Sequence, residues 1–306
     1  MDSEHAIKNL QQLFYYSNPA NKLTKTELFY GVDLYYLNFG SNPMHLKHES
    51  FDNIVQINYC KTGQLRWKMK SRNSIYLNHG DFSLHTMKAC TESLMEFPQG
   101  FYECLTICID FEKLKTAPLQ LFKNNYSLSF LYDKFCSGTK ITSLASTRST
   151  ETIFESFYNL PTTNTLNFAR LKFYELMILL ENTEPDAAAL LKEYTPDNVA
   201  IIQQVHDYLL QNTGKRITIE ELARLYSMNT TSLKAAFKSI YGMSIGAYAK
   251  KQRLLYAARL LADSNLSIAE VAAASGYNSQ SKFSAAFKAL FNILPSDYRK
   301  TKNSGL

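Results

Sequence analysis

No apolar run in this 306-residue chain approaches the roughly 18 residues a spanning helix needs, so no membrane crossing is expected. Residues 1–16 carry Asp2 and Glu4 early and no small-residue cleavage site. A secretory signal is therefore not expected, and a cytoplasmic location is. Cysteine is sparse and odd in number: Cys60, Cys90, Cys104, Cys108 and Cys136. None of their spacings is a metal signature, Cys104-x-x-x-Cys108 included, and reduced thiols are expected. A Gly-rich phosphate loop, a nucleophile elbow and a Ser-His-Asp order are also missing, which removes the common routes to nucleotide and acyl chemistry. His45, His48, Glu49, His79 and His85 lack the tight His-x-His spacing of a metal-binding β-barrel. The expectation is no metal, no cofactor and no enzymatic activity.

What is present is a basic C-terminal third. The chain has a net charge of +6. Residues 199–306 hold 14 Lys and Arg against 6 Asp and Glu, a net of +8; the remainder holds 19 against 21, a net of −2. Positive charge gathered into one segment suits binding to phosphate.

That segment contains one short pattern twice. Thr218-Ile219-Glu220-Glu221-Leu222-Ala223 is followed by a turn and Leu233-Lys234-Ala235-Ala236-Phe237-Lys238. Ser267-Ile268-Ala269-Glu270-Val271-Ala272 is followed by a turn with Gly276 and by Phe283-Ser284-Ala285-Ala286-Phe287-Lys288. The offset is 49 residues before the turn and 50 after it. Thr218 with Glu221, and Ser267 with Glu270, are capping boxes. Ile219, Leu222 and Ala223, like Ile268, Val271 and Ala272, lie on one helical face. Leu233/Phe237 and Phe283/Phe287 are core pairs at i, i+4. The opposite faces carry Thr230, Thr231 and Lys234 in the first copy and Ser279, Gln280, Ser281 and Lys282 in the second. Such side chains reach base edges and phosphates. Two helix-turn-helix units in a basic domain predict sequence-specific binding of double-stranded DNA. Candidate backbone contacts are Lys238, Lys250, Lys251, Arg253, Arg259, Lys282, Lys288, Arg299 and Lys300.

The front of the chain reads as strands over about 25–110. Leu65, Trp67 and Met69 alternate with Arg66, Lys68 and Lys70 after Gly63, while 54–59 and 105–109 are short apolar strands and His79-Gly80-Asp81 breaks another pair. This predicts a small barrel or sandwich. Tyr59, Trp67, Tyr76 and Tyr102 are its candidate pocket aromatics, with ordinary core packing as the alternative. A helix is expected over 168–181. Its stripe Phe168, Leu171, Tyr174 and Ile178 packs either on the barrel or on a second subunit. Asn182 to Asp186 and Thr195 to Asp197 bracket a linker.

Residues 199–300 resemble the DNA-binding domain of the AraC/XylS family of bacterial transcription regulators. The most specific stretch is Ser267 to Ala272, Ser275-Gly276-Tyr277, Phe283 to Lys288, and Pro295-Ser296-Asp297-Tyr298-Arg299, within a resemblance that covers about a third of the chain. The resemblance implies a multi-domain α+β chain: a cupin-like β-barrel with helices that dimerise or link (1–181), a linker (182–198), and an all-α domain (199–306). There the second helix of each unit enters the major groove, and a long helix, 244–262, joins the units. By position, Thr231, Lys234 and Ala235, then Ser281, Lys282 and Ala285, would face bases. Many members have Arg where Ala235 and Ala285 stand. Alanine cannot make a bidentate guanine contact, so this chain should rely more on thymine methyls, phosphates and DNA shape. The resemblance further implies transcription activation through RNA polymerase, a small-molecule effector in the front domain, and a homodimer. Two alternatives stay open: a metal-dependent cupin-type enzyme fused to a DNA module, and a regulator whose front domain binds a partner protein. A fused repair methyltransferase would need a Pro-Cys-His setting, which none of the five cysteines has.

Overall fold

Strand β8 (Tyr102–Asp110) is buried on both faces, and each face serves a different partner. Leu105, Ile107 and Ile109 join a core shared with helices, whereas Tyr102, Cys104 and Cys108 join a core between strands. This period-two division organises the first of two compact units, Met1–Pro196 and Asp197–Leu306. The computed structural model describes residues 22–40, 42–70, 73–121, 124–136, 141–185, 191–215 and 217–303.

The first unit also contains β1 (Lys22–Phe29), β2 (Val32–Phe39), β3 (Met44–Lys47), β4 (Ile54–Met69), β5 (Ser74–Asn78), β6 (Phe82–Thr86), β7 (Glu92–Glu96), a two-residue hairpin of β9 (Gln120–Leu121) with β10 (Asn124–Asn125), and β11 (Thr142–Leu144). All pairings between these strands are antiparallel. One layer runs β1-β2-β8-β4-β6-β11, and the far half of β4 pairs with β5 and β7, which in turn pairs with β3.

Two expectations are corrected here. The strands read at 54–59 and 65–69 are one 16-residue strand. Its register shifts between Cys60 and Thr62, and Gly63 sits at φ +83°, where a Cβ would collide with the Phe101 carbonyl. A bulge followed by glycine lets a strand bend sharply without ending, so Gly63 is a crease and not a stop. Because β4 folds over on itself, its two halves belong to two layers. The sheet does not close into the expected barrel among the described residues: β1 pairs with β2 alone and β11 with β6 alone.

Helices α1 (Phe111–Thr116), α2 (Phe130–Phe135), α3 (Arg148–Tyr158) and α4 (Thr165–Glu181) complete this unit. Thr147 and Thr150 form a capping box for α3, whose Ile153, Phe154 and Phe157 are buried. Helix α4 buries Ala169, Phe173, Leu176, Met177 and Leu180. Of the stripe expected to pack, Phe168, Leu171 and Ile178 face outward (Leu171 is 64% exposed), and Tyr174 alone meets the sheet, against Phe29. The better-buried face contains Ala169, a residue too small to signal itself in an apolar count. Within the segment read as a linker, Leu191 N–H donates to Ser143 O (2.7 Å), and Ser74 and Tyr194 exchange backbone bonds of 2.9 Å each. Asp186 lies outside the described residues.

The second unit is helical: α5 (Pro196–Gln211), α6 (Ile219–Leu225), α7 (Thr230–Tyr241), α8 (Ile245–Asp263), α9 (Ile268–Ala274), α10 (Gln280–Phe291) and α11 (Pro295–Asn303). The repeat is reproduced bond by bond. In both capping boxes the hydroxyl accepts from the N3 amide at 3.2 Å and the Glu carboxylate accepts from the cap amide at 2.7 Å. Both turns then pass through a left-handed residue, Ser227 (φ 51°) and Gly276 (φ 73°). Both second helices end on another, Gly242 (φ 72°) and Asn292 (φ 58°).

The duplication extends further than the expected pattern. Tyr248 on α8 closes on Phe237 and Tyr241 with ring centroids 5.5 and 5.7 Å apart; Tyr298 on α11, 50 residues on, closes on Phe287 and Phe291 at 5.4 and 5.6 Å. Each unit is therefore three helices, with the third bracing the second.

Candidate nucleic-acid interface

The capping residues decide where each second helix begins and so which side chains emerge at its first turn. Asn229 Oδ1 accepts from Ser232 N–H (2.7 Å) and starts α7; Ser279 Oγ accepts from Lys282 N–H (3.2 Å) and starts α10. Leu233, Ala236, Phe237 and Ile240 anchor α7 in the core, and Phe283 and Phe287 anchor α10. Rotation about each helix is thereby set. Thr231, Lys234, Ala235 and Lys238 are exposed together on α7, as are Gln280, Ser281, Lys282, Ala285 and Lys288 on α10; Thr230 is half-buried. At an offset of 50, Thr231 matches Ser281, Ala235 matches Ala285 and Lys238 matches Lys288. Each face thus has a hydroxyl, then a methyl, then a cation. Lys234 and Lys282 fall outside that correspondence and make the two faces different.

Ser279, read as a base contact, has its hydroxyl engaged in the cap. Two cations read as phosphate contacts have internal roles. The Arg253 guanidinium lies over the Tyr277 ring, 5.4 Å from its centroid. Arg299 Nη2 donates to Leu266 O at 2.6 Å. Lys250 and Lys251 on α8 are exposed. The second turn is also closely covered. A Cβ at Gly276 would lie 3.1 Å from the Gly214 carbonyl, and one at Gly214 would lie 2.9 Å from the Ala274 carbonyl. The α5–α6 connection therefore rests directly on the turn of the second unit.

In the first unit an apolar cavity of about 60 Å³ lies between the strand layers. Of the four expected pocket aromatics, Trp67 and Tyr102 line it and Tyr59 and Tyr76 do not. Tyr59 is on the helix side of β4, stacked on Phe154 (4.5 Å) and donating to Glu155 Oε1 (2.8 Å). Tyr76 alternates away from Ile75 and Leu77 and meets Tyr194 edge-on at 6.0 Å. The sequence reading missed Gln56, Asn58 and Thr106, polar residues in the wall. The signal was available: Gln56 and Asn58 alternate with Ile57 and Tyr59, and the bulge then brings Leu65 and Trp67 to the same side. His85 is fully buried with neither ring nitrogen hydrogen-bonded, and burial, reinforced by His48, pushes its pKa down to about 3. Among the described residues, no three His, Cys, Asp or Glu side chains converge as metal ligands would.

A helix-turn-helix domain family matches residues 222–301, a span that includes both exposed faces. The probable transcription factor PqrA of Proteus vulgaris is 33% identical over 100 residues, which are 33% of this chain and 80% of that protein. This chain belongs to the AraC family. The transcriptional regulator ExsA of Pseudomonas aeruginosa is 31% identical over 137 residues, 44% of this chain, and the match spans 48% of ExsA, under half its length. A solved structure of a probable AraC family transcriptional regulator from Rhodopseudomonas palustris is 28% identical, with a TM-score of 0.32 and coverage of 34% of this chain and 97% of that one. Within this AraC-family chain, the family match falls on the second unit alone. The cavity of the first unit is a property of its own residues.

Proposed function

We propose that the chain is a sequence-specific DNA-binding transcription activator. Its α7 and α10 enter successive major grooves, with α8 as the spacer. The observation that carries this reading is the pair of exposed faces, alike at a 50-residue offset, on capped and anchored helices in a segment of net charge +8. Thr231, Lys234, Ala235, Gln280, Ser281, Lys282 and Ala285 are assigned to base edges. Lys238, Lys250, Lys251 and Lys288 are assigned to phosphates. We further assign residues 1–181 to a cupin-like sensory module that controls activity through a small molecule, with 182–198 as the connection. The outward stripe Phe168, Leu171 and Ile178 is assigned to a homodimer, and RNA polymerase is the partner in activation, in the cytoplasm. An effector can shift such a system only through its different affinities for two states of the protein.

Selection of bound sequences by the full chain from random double-stranded DNA tests the central claim. The expected result is an enriched motif spanning about two helical turns, with steep loss of affinity as salt rises. Binding without an enriched motif would remove sequence readout from the second unit, and no binding would overturn the proposal.

A further inference from the structure

The cavity of the first unit has a definite chemical character. Its walls are apolar, with Leu37, Phe39, Leu65, Trp67 and Met95 prominent, and no Lys, Arg, Asp or Glu is among the described residues that line it. Its polar groups are amides, hydroxyls, thiols and the His48 ring. Asn58 and Thr106 satisfy each other at 2.7 Å, while the Gln56 amide reaches only the Cys108 sulfur at 3.5 Å, a weak acceptor. The His48 ring is engaged at both nitrogens, with the Glu49 carbonyl (2.7 Å) and Cys90 Sγ (3.4 Å). The Tyr102 hydroxyl is buried and has no oxygen or nitrogen partner; the Cys104 thiol, a weak acceptor, lies beside it, and Cys60 and Tyr158 are also near. A buried donor left with only a weak sulfur acceptor is costly, and an occupant with an acceptor oxygen relieves it.

We propose that this cavity is a binding site for a neutral, largely apolar ring compound that carries a carbonyl or ether oxygen, the oxygen accepting from Tyr102. This rests on the reading of the first unit as an effector module. A carboxylate would be buried there with no Lys or Arg in the wall to pair it, and a sugar would bring more hydroxyls than the wall can satisfy. Binding is non-covalent: burial raises the Cys90, Cys104 and Cys108 thiols to about 12, far from the reactive thiolate range. The volume of about 60 Å³ is under half of the roughly 150 Å³ apolar cavity known to take up benzene. A ring therefore enters by rotating flexible wall residues, Met95 foremost, and presses the two layers apart. That strain gives an occupied state distinct from the empty one.

Trp67 is the only tryptophan in the chain and lines the cavity, so its emission reports occupancy. Full-length protein is titrated with cyclohexanone, cyclohexanecarboxylate and glucose. The expected result is a saturable change with cyclohexanone, at least about ten-fold weaker binding of the carboxylate, and none of the sugar. Tyr102→Phe should weaken cyclohexanone about five-fold, and Leu46→Phe should abolish its binding by filling the space, both with unchanged far-UV circular dichroism. If one variant misfolds, the other decides. Equal or tighter carboxylate or glucose binding, a non-saturable response, or unchanged binding in a folded variant would overturn the inference. Saturable ketone binding that leaves DNA affinity unchanged would support the site and sink the effector reading instead.

Discussion

The two helix-turn-helix turns pose a matched question, because Ser227 and Gly276 occupy equivalent left-handed positions with different side chains. A left-handed conformation costs an L-residue about 1–2 kcal/mol, and a glycine there avoids that cost while losing about 0.5–1 kcal/mol more chain entropy on folding. Ser227→Gly should therefore leave stability unchanged or raise it by about 1 kcal/mol. Gly276→Ser is not its mirror image. The new Cβ would lie 3.1 Å from the Gly214 carbonyl, and Gly214 cannot retreat freely, since it already approaches the Ala274 carbonyl. Backbone meets backbone on both sides, so the contact adds to the conformational cost. The expected loss is about 1–3 kcal/mol. Amide hydrogen exchange of the full chain reads this locally. The amides of α9 and α10 should exchange faster in Gly276→Ser, and those of α6 and α7 should be unchanged or slower in Ser227→Gly. DNA affinity should fall in the first variant and persist in the second. A stable Gly276→Ser protein with wild-type exchange would refute the claim that the α5–α6 connection bears on the second turn.

Phe287→Ala should cost about 3–5 kcal/mol, since the ring is fully buried between Phe283, Phe291 and Tyr298; loss of α10 exchange protection checks this. Lys282→Ala should weaken operator binding by about 1–3 kcal/mol and relax base preference at the position it reads, measured by anisotropy with labelled operator variants. Unchanged affinity would remove Lys282 from the interface. His85 predicts acid sensitivity in the first unit. Its folded pKa of about 3 lies below the unfolded value of 6.5, so between these values the unfolded chain holds a proton that the folded chain does not. Stability from this group is complete above pH 6.5 and declines as pH falls, by about 2 kcal/mol at pH 5. Urea unfolding followed by Trp67 emission should show that decline, and His85→Phe should flatten it.

The helical unit was the more legible because its signals are local. Capping boxes, Ala-Ala-Phe-Lys runs and i, i+4 core pairs lie within a few residues of the bonds they make, and each is written twice. The third helix of each copy escaped notice because Tyr248 and Tyr298 belong to elements that look different, one the long α8 and the other the short α11. The strands were legible as alternation, but not their faces. One extra residue between Cys60 and Thr62 exchanges the inside and outside of β4, and nothing local marks which side the layers enclose. Tyr59 and Tyr76 were misplaced for that reason. The internal contacts of Arg253 and Arg299 were not legible, because a cation on a basic helix looks alike whether it meets a phosphate, a ring or a carbonyl.

Strand β4 can also be viewed as a lever with Gly63 as its fulcrum. Its far arm forms one wall of the cavity through Leu65 and Trp67, and beside the fulcrum Tyr59 and Lys61 both hold Glu155 on α3. A wedge between the layers loads the far arm, and the bend concentrates that load on these few residues instead of spreading it across the sheet. Helix α3 is thus the element that such a load would pull first.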